Sequence, residues 1–136
     1  MTIEFIDDKN KFFSDVKILG KKNSSTLGFM PEGGFEDYAK KGCIIIAADN
    51  DILYGYIMYR EVPRYSRISI VHLCVDCKYR GKGLTKLLLD ALRLKYENSY
   101  NYHGILLSCR DDYKAASNMW QKYGFVPRDE VRSRSM

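Results

Sequence analysis

Glycines and basic residues cluster in one short stretch of the chain, Tyr79-Arg80-Gly81-Lys82-Gly83-Leu84-Thr85. The stretch lies between a β-branched segment that ends at Val75 and a segment with strong helical periodicity. Glycines at a strand-to-helix turn let the backbone approach a ligand closely, and the free amides of a helix start attract an anion. Arg80 and Lys82 add positive charge at the same place. The stretch predicts a phosphate or pyrophosphate site; the alternative is a solvated turn that only begins the helix.

Two common phosphate-binding motifs do not fit this turn. A P-loop needs Ser or Thr directly after its lysine, whereas Lys82 is followed by Gly83. A dinucleotide-binding turn needs a third glycine, and Lys86 stands at that place. The spacing therefore excludes a P-loop nucleoside triphosphatase and a dinucleotide-binding domain.

The elements before the turn are predicted from hydrophobic periodicity and turn residues. The stretch from Asp8 to Gly20 has no clear pattern. The stretch from Lys21 to Phe35 is rich in Ser and Gly and predicts a flexible loop, which either covers a bound substrate or has no function. The other predicted elements are a strand at Ile3 to Ile6, a short helix from Phe35 to about Gly42, and a hairpin of Cys43 to Ala48 and Ile52 to Tyr59.

The elements around and after the turn are more strongly patterned. Ser66 to Val75 predicts a strand with Ile68, Ile70, His72 and Cys74 on one face. A helix from Gly83 to about Glu97 has a regular leucine stripe. Further predicted elements are a strand at Gly104 to Cys109, a helix that begins at Asp111 or Asp112 and ends at Gly124, and a strand from Phe125. The order predicts an α/β (α+β) fold, with a mixed sheet and flanking helices in one domain over residues 1–136.

Composition narrows the class of partner. The chain has 136 residues, and 22 Lys and Arg against 17 Asp and Glu give a net charge of +5, which favours an anionic ligand. The first residues lack a basic start followed by an apolar run, and the longest apolar run, Cys43 to Ala48, is too short for a bilayer. We therefore expect a cytoplasmic protein without a membrane partner.

Four cysteines invite a zinc or redox interpretation, because Cys74 and Cys77 form a Cys-x-x-Cys pair. Cys43 and Cys109 have no paired spacing, and the two histidines do not complete a metal motif. Cysteines in apolar runs act as small hydrophobic residues when reduced. We expect no metal site.

The turn and its surroundings resemble the GNAT superfamily of acetyl-CoA-dependent N-acetyltransferases. The first motif of that family, Arg/Gln-x-x-Gly-x-Gly/Ala, is similar to the stretch Arg80 to Thr85, and Leu73-Cys74-Val75 matches the strand before it. The segment Ala116 to Phe125 resembles the second motif, and the likeness extends over about Cys43 to Val126. It implies a mostly antiparallel mixed sheet that splays open at a cofactor cleft.

The resemblance also implies which residues bind acetyl-CoA. The pantetheine arm would pair with backbone groups of Leu73 and Val75, a backbone N–H near Cys74 would hold the thioester oxygen, and Ser117 would add a contact. The amides of Gly81 to Thr85, namely Gly81, Lys82, Gly83, Leu84 and Thr85, would hold the pyrophosphate together with Arg80. Two departures stand out: Thr85 replaces Gly or Ala, and Trp120 stands where many members have a tyrosine that protonates the leaving thiolate.

Acetyl transfer needs a neutral amine, and a lysine-like amine with a pKa near 10.4 is almost wholly charged at pH 7. His72 is a candidate general base, although it can equally be a core histidine, and Glu61 is the carboxylate alternative. Tyr113 and Tyr123 are possible acids in place of the missing tyrosine, and Arg110 can contact the acceptor or pair with an aspartate.

The sequence thus predicts transfer of an acetyl group to a primary amine, on a small molecule or on a protein lysine or N-terminus, by direct transfer in a ternary complex. The alternative is a non-catalytic acyl-CoA sensor or a nucleic-acid binder on the same fold. We expect a monomer or homodimer that does not need a nucleic-acid partner.

Overall fold

The apolar segments form a sheet in the order β1-β2-β3-β4-β5. The computed structural model describes residues 1–27, 30–107 and 121–125. The strands are Thr2–Ile6 (β1), Ile44–Asp49 (β2), Ile52–Val62 (β3), Arg67–Val75 (β4) and Gly104–Leu107 (β5). Strands β1 to β4 are antiparallel neighbours, and β5 runs parallel to β4. The predicted hairpin and mixed sheet are confirmed, and β3 extends three residues beyond the predicted Tyr59.

The helices correct one part of the sequence interpretation. They are Phe13–Lys22 (α1), Ser24–Leu27 (α2), Glu32–Lys40 (α3) and Leu84–Tyr96 (α4). The expectation of a flexible loop from Lys21 to Phe35 is wrong, because α1 ends in this stretch, α2 lies within it and α3 begins in it. Packing overrides the weak helix propensity of Ser and Gly here, since Val16, Leu19 and Gly20 of α1 are buried.

The predicted helices from Phe35 and from Gly83 are confirmed as α3 and α4. Gln121 and Lys122 are helical, and Gly124 has a φ of +95°, so the predicted helix end at Gly124 is confirmed within the described residues. No helix in the described ranges has a run that is long and apolar enough to cross a membrane.

Each face of the sheet has its own apolar core, which explains why β2 is buried on both sides. The core under α1 and α3 includes Val16, Leu19, Phe35, Ala39, Ile44, Ile46, Tyr56 and Met58. The core under α4 includes Ile45, Ile57, Tyr59, Ile68, Ile70, Leu88, Leu89 and Leu92.

A bulge in β4 changes which face its side chains occupy. Met58 pairs with His72 and Tyr59 pairs with Ile70, so Val71 is an extra residue on β4. Ile68 and Ile70 therefore pack under α4, whereas Cys74 packs with the core under α1 and α3, where His72 contacts Phe35 and Tyr56. The prediction that Ile68, Ile70, His72 and Cys74 share one face is wrong, because regular alternation does not include a bulge.

Candidate active site

The glycine-containing turn joins the end of β4 to the start of α4. Gly81 and Gly83 have φ angles of +81° and +79°, the left-handed region that glycine adopts without strain. Before them, a 3₁₀ turn at Cys77–Tyr79 is fixed by Asp76, whose carboxylate accepts a hydrogen bond from the Lys78 N–H at 3.2 Å. The sequence thus builds a tight reversal that leaves its glycines exposed.

The first turn of α4 is open to an anion. The N-cap is Gly83, which has no capping side chain, and the first intrahelical bond there runs from the Leu87 N–H to the Gly83 carbonyl at 3.2 Å. The N–H groups of Leu84, Thr85 and Lys86 therefore have no partner within the helix. No acidic residue occupies this first turn. Arg80 and Lys82 are exposed beside it, which concentrates positive charge at a helix start.

Beyond the bulge in β4, two of the predicted cofactor-binding residues point their backbone N–H and C=O groups away from β3. The Asp76 N–H donates to the Tyr54 carbonyl at 2.9 Å, so alternation turns the backbone groups of Leu73 and Val75 to the opposite edge. In the described residues, β5 pairs with β4 only from Arg67 to Ile70. Within the described ranges, the free edge of β4, which has no strand partner there, therefore begins beside the bulge and ends at the turn.

Arg80 links the turn to this edge. Its Nε donates to the Val75 carbonyl at 3.0 Å, which leaves the two terminal guanidinium nitrogens to face the turn or solvent. Tyr79, next to it, packs edge-on against Tyr54, with ring centroids 4.5 Å apart. The turn is therefore tied to both β3 and β4.

His72 is buried beside the bulge, with 3% of its surface exposed. Its Nδ1 lies 3.0 Å from the hydroxyl of Tyr56, and in the described part of the chain each of these two groups has only the other as a hydrogen-bond partner. Burial lowers the pKa of His72 and raises that of Tyr56, so both are neutral at pH 7. This hydrogen bond joins β3 to β4 in the core, and the tautomer of His72 sets which of the two groups donates it.

Glu61 lies away from His72. It pairs with Ile68 of β4, four residues from His72, which corresponds to roughly 10–13 Å along a strand. Its Oε2 accepts a hydrogen bond of 2.6 Å from the Tyr96 hydroxyl of α4. The structure does not bring the two predicted bases together.

Two of the three described cysteines are placed as an apolar role would require. Cys43 and Cys74 are buried and Cys77 is exposed, and all three are free thiols. Burial raises the pKa of Cys43, and it raises the pKa of Cys74 to about 11. No group of three or more His, Cys, Asp or Glu within the described ranges could hold a metal ion.

Several predicted site residues lie outside the described residues. These are the predicted acid Tyr113, Trp120 at the position of the family tyrosine, the predicted cofactor contact Ser117, and Cys109 and Arg110. The proposed splay between β4 and the strand after Gly104 also concerns residues beyond Leu107. Their roles stay predictions.

A pocket of about 190 Å³ lies on the α1 and α3 side of the sheet, lined by Gly20, Lys21, Ser24, Met30 and Phe35. A larger hollow of about 480 Å³ lies where β4 and β5 begin and α4 ends. The larger one is at the opposite end of β4 from the glycine turn. One residue that lines the smaller pocket, Phe35, packs its ring edge-on against the imidazole of His72 at a centroid distance of 5.9 Å.

The sequence interpretation missed Tyr56 and Gly20. A Cβ on Gly20 would lie 2.6 Å from the Tyr56 hydroxyl and 2.8 Å from Cζ of Phe35, so this glycine lets α1 approach the sheet. The spacing of Phe13, Val16 and Gly20, all buried on α1, was the available signal for that helix. Tyr56 could be found only from the register of β3 with β4, which places it near His72.

Comparison with known proteins agrees with this geometry. A sequence profile of the acetyltransferase (GNAT) family matches residues 11–125. The chain belongs to the acetyltransferase (GNAT) family, as its resemblance predicted. The spermine/spermidine N(1)-acetyltransferase of Bacillus subtilis (strain 168) is 31% identical over 85 residues, which cover 58% of this chain and 56% of that protein. The match thus spans little more than half the length of that curated relative.

Solved structures show the same fold. The ribosomal-protein-alanine N-acetyltransferase of Brucella melitensis biovar Abortus 2308 superimposes with a TM-score of 0.75 at 15% identity, over 99% of this chain and 98% of that chain. A predicted acetyltransferase from Clostridium acetobutylicum, solved with acetyl-CoA, gives a TM-score of 0.70 at 19% identity, over 98% and 96% of the two chains. The expected α+β fold is confirmed.

Proposed function

We propose that this chain is a single-domain, acetyl-CoA-dependent N-acetyltransferase that transfers the acetyl group directly to a primary amine. The observation that carries the proposal is the junction of β4 and α4, where left-handed glycines, free helix amides and two basic side chains converge. A pyrophosphate has the charge and the acceptor oxygens that such a junction binds.

The cofactor is proposed to lie along the free edge of β4. Its pyrophosphate would contact the amides from Gly81 to Thr85, and its amide-containing arm would pair with Leu73 and Val75 as an added strand does. The Val75 carbonyl already accepts from Arg80, so its N–H is the group left for the arm. The thioester would then come near the bulge at Val71, where an N–H that faces the cleft can stabilise the developing oxyanion.

The reaction forms a C–N bond and breaks the C–S bond, with loss of one proton from the amine. The leaving thiol has a pKa of about 8.5, so the thiolate can leave without full protonation. His72 is buried, and its Nδ1 is already hydrogen-bonded to the Tyr56 hydroxyl, which supports a role in holding the bulge rather than in accepting a proton. We propose that the amine proton goes to water.

The function is tested by release of free coenzyme A thiol from acetyl-CoA with a panel of primary amines and peptides. Calorimetry with acetyl-CoA alone measures binding separately. We expect both binding and turnover. Tight binding without turnover for any amine would instead indicate an acyl-CoA sensor, and salt-dependent nucleic-acid binding without acetyl-CoA binding would indicate the other alternative.

The role of His72 is tested by the pH dependence of kcat/KM in His72→Gln. We expect the profile to keep its shape, because the glutamine side chain cannot titrate and the wild-type imidazole does not take up the proton. Loss of the acid limb of the profile in this variant would restore His72 as the general base.

A further inference from the structure

Two of the residues that line the pocket of Gly20, Lys21, Ser24, Met30 and Phe35 contact the Tyr56 and His72 pair, and His72 lies next to the bulge in β4. The Phe35 ring packs on His72, and the backbone of Gly20 lies against the Tyr56 hydroxyl. The bulge is where the proposed cofactor path brings the thioester. This pocket, on the face under α1 and α3, is therefore placed to hold part of the acceptor.

The walls of this pocket are mostly apolar, and the pocket has room for one side chain. Met30 and Phe35 provide the apolar surface, and Gly34 leaves room for the Met30 thioether, since a Cβ there would collide with the sulfur. An apolar cavity of about 150 Å³ holds a benzene molecule. A volume of about 190 Å³ therefore suits a leucine-sized or phenylalanine-sized group.

The charges around the pocket do not favour a polycation. Lys21 Nζ lies 2.8 Å from Glu32 Oε1, and both side chains are about half exposed. The hydrogen bond from Lys21 and its positive charge, with a further contribution from Lys17, lower the pKa of Glu32. No carboxylate lines the pocket among the residues that the structure describes. A polyamine would find its ammonium groups next to Lys21, and the carboxylate of Glu32 is already paired with that lysine.

Building on the proposed function, we propose that this pocket binds the apolar side chain of an α-amine acceptor. Such an acceptor is an amino-acid derivative, or a peptide whose amino-terminal residue is aliphatic or aromatic.

The chemistry of the amine supports the same choice. An α-amine has a pKa of about 7.7–8.0, so about one molecule in ten is neutral at pH 7, against about one in 2,500 for a lysine-like amine. Lys21 is the one titratable residue that lines the pocket within the described ranges, and its amino group is paired with Glu32. A useful fraction of an α-amine is therefore already neutral at pH 7, and no base is needed to deprotonate it.

The proposal is tested with alaninamide, leucinamide, phenylalaninamide, spermidine and a tetrapeptide that begins with Leu, by release of coenzyme A thiol. Each buried methylene contributes about fourfold, so we expect kcat/KM for leucinamide to exceed that for alaninamide at least tenfold. The tetrapeptide distinguishes a peptide acceptor from a small molecule. A kcat/KM a further tenfold above that of leucinamide indicates a peptide acceptor, and equal kcat/KM values indicate a small molecule. Preference for spermidine would overturn the proposal.

A matched pair of variants tests the pocket itself. Ser24→Leu narrows the pocket, and Ser25→Leu makes the same change at an exposed neighbour that does not line it. We expect Ser24→Leu to lower kcat/KM for leucinamide at least tenfold, and by more than it lowers the alaninamide value, while the Kd of acetyl-CoA stays within about threefold of wild type. Ser25→Leu should change none of these.

The outcomes separate this proposal from the function on which it rests. Turnover without preference for an apolar side chain, or equal effects of the two serine variants, overturns the pocket assignment alone. Absence of turnover with every amine overturns the proposed function and this assignment together.

Discussion

The hydroxyl of Tyr56 on β3 lies 3.0 Å from Nδ1 of His72 on β4, and both residues are almost fully buried. The bulge at Val71 makes this contact possible, because it turns His72 away from the α4 face and toward α1. Phe35 of α3 packs on the imidazole, and Gly20 of α1 lies against the tyrosine hydroxyl. The pair therefore joins two strands and two helices beside the proposed reaction site.

We expect the free energy of unfolding to decrease as the pH decreases, because His72 in this pair is buried. Burial lowers the pKa of His72 in the folded state, so the unfolded chain, with a pKa of about 6.5, binds the proton more readily. The contribution of neutral His72 to stability is therefore complete above a pH of about 6.5. It is lost as the pH falls below that value, at up to about 1.4 kcal/mol per pH unit. Urea unfolding followed by circular dichroism between pH 7.5 and 5 measures the slope.

The histidine variants isolate this effect. His72→Gln should lower the free energy of unfolding at pH 7.5 by about 1–3 kcal/mol, because the Tyr56 hydroxyl loses its partner, and should flatten the slope below pH 6.5. His103→Gln, at the exposed histidine, should keep the wild-type slope. Equal slopes in wild type and His72→Gln would contradict the buried, neutral state of His72.

The close approach of α1 to the sheet gives a second prediction. Gly20→Ala places a Cβ within 2.8 Å of Tyr56 and Phe35, so we expect a loss of about 1–3 kcal/mol from overpacking. Gly33 is also helical but exposed, with nothing within 4 Å of a Cβ, and Gly33→Ala should stabilise by about 0.5–1 kcal/mol. Thermal unfolding of both variants measures the contrast. Equal effects would mean that helix propensity, and not packing, decides at Gly20.

Local patterns predicted the glycine turn and α4, because glycine spacing and a leucine stripe are properties of neighbouring residues. They did not predict α1, whose buried face depends on a sheet formed by distant residues, nor the Tyr56 and His72 contact. Regular alternation placed His72 with Ile68 and Ile70, and the bulge places it on the opposite face. The pocket could not be predicted either, since it needs α1, α2 and α3 together.

The conformation of the turn is tested by Gly83→Ala. Gly83 has a φ of +79° with open space around a Cβ, and Gly42, after α3, has a φ of +71° and the same open space. Alanine at either position should therefore cost about 1 kcal/mol or more of stability from backbone strain. Only Gly83→Ala should also raise the Kd of acetyl-CoA, by about tenfold, because its Cβ stands among the α4 amides that would bind phosphate. Calorimetry on both variants measures this. An equal loss of affinity in Gly42→Ala would show that general destabilisation is the cause.

The guanidinium of Arg80 is expected to have two tasks, because its Nε binds the Val75 carbonyl while the terminal nitrogens remain for the pyrophosphate. Arg80→Lys keeps the charge but cannot bind both groups in this geometry, so we expect the Kd of acetyl-CoA to rise about tenfold, and further in Arg80→Ala. Lys78→Ala is the matched control, since this exposed lysine contributes only its backbone N–H to the turn. Titration calorimetry at two salt concentrations should show weaker salt dependence in Arg80→Ala than in Arg80→Lys. A Lys78→Ala effect as large as that of Arg80→Lys would reduce the role of Arg80 to general positive charge.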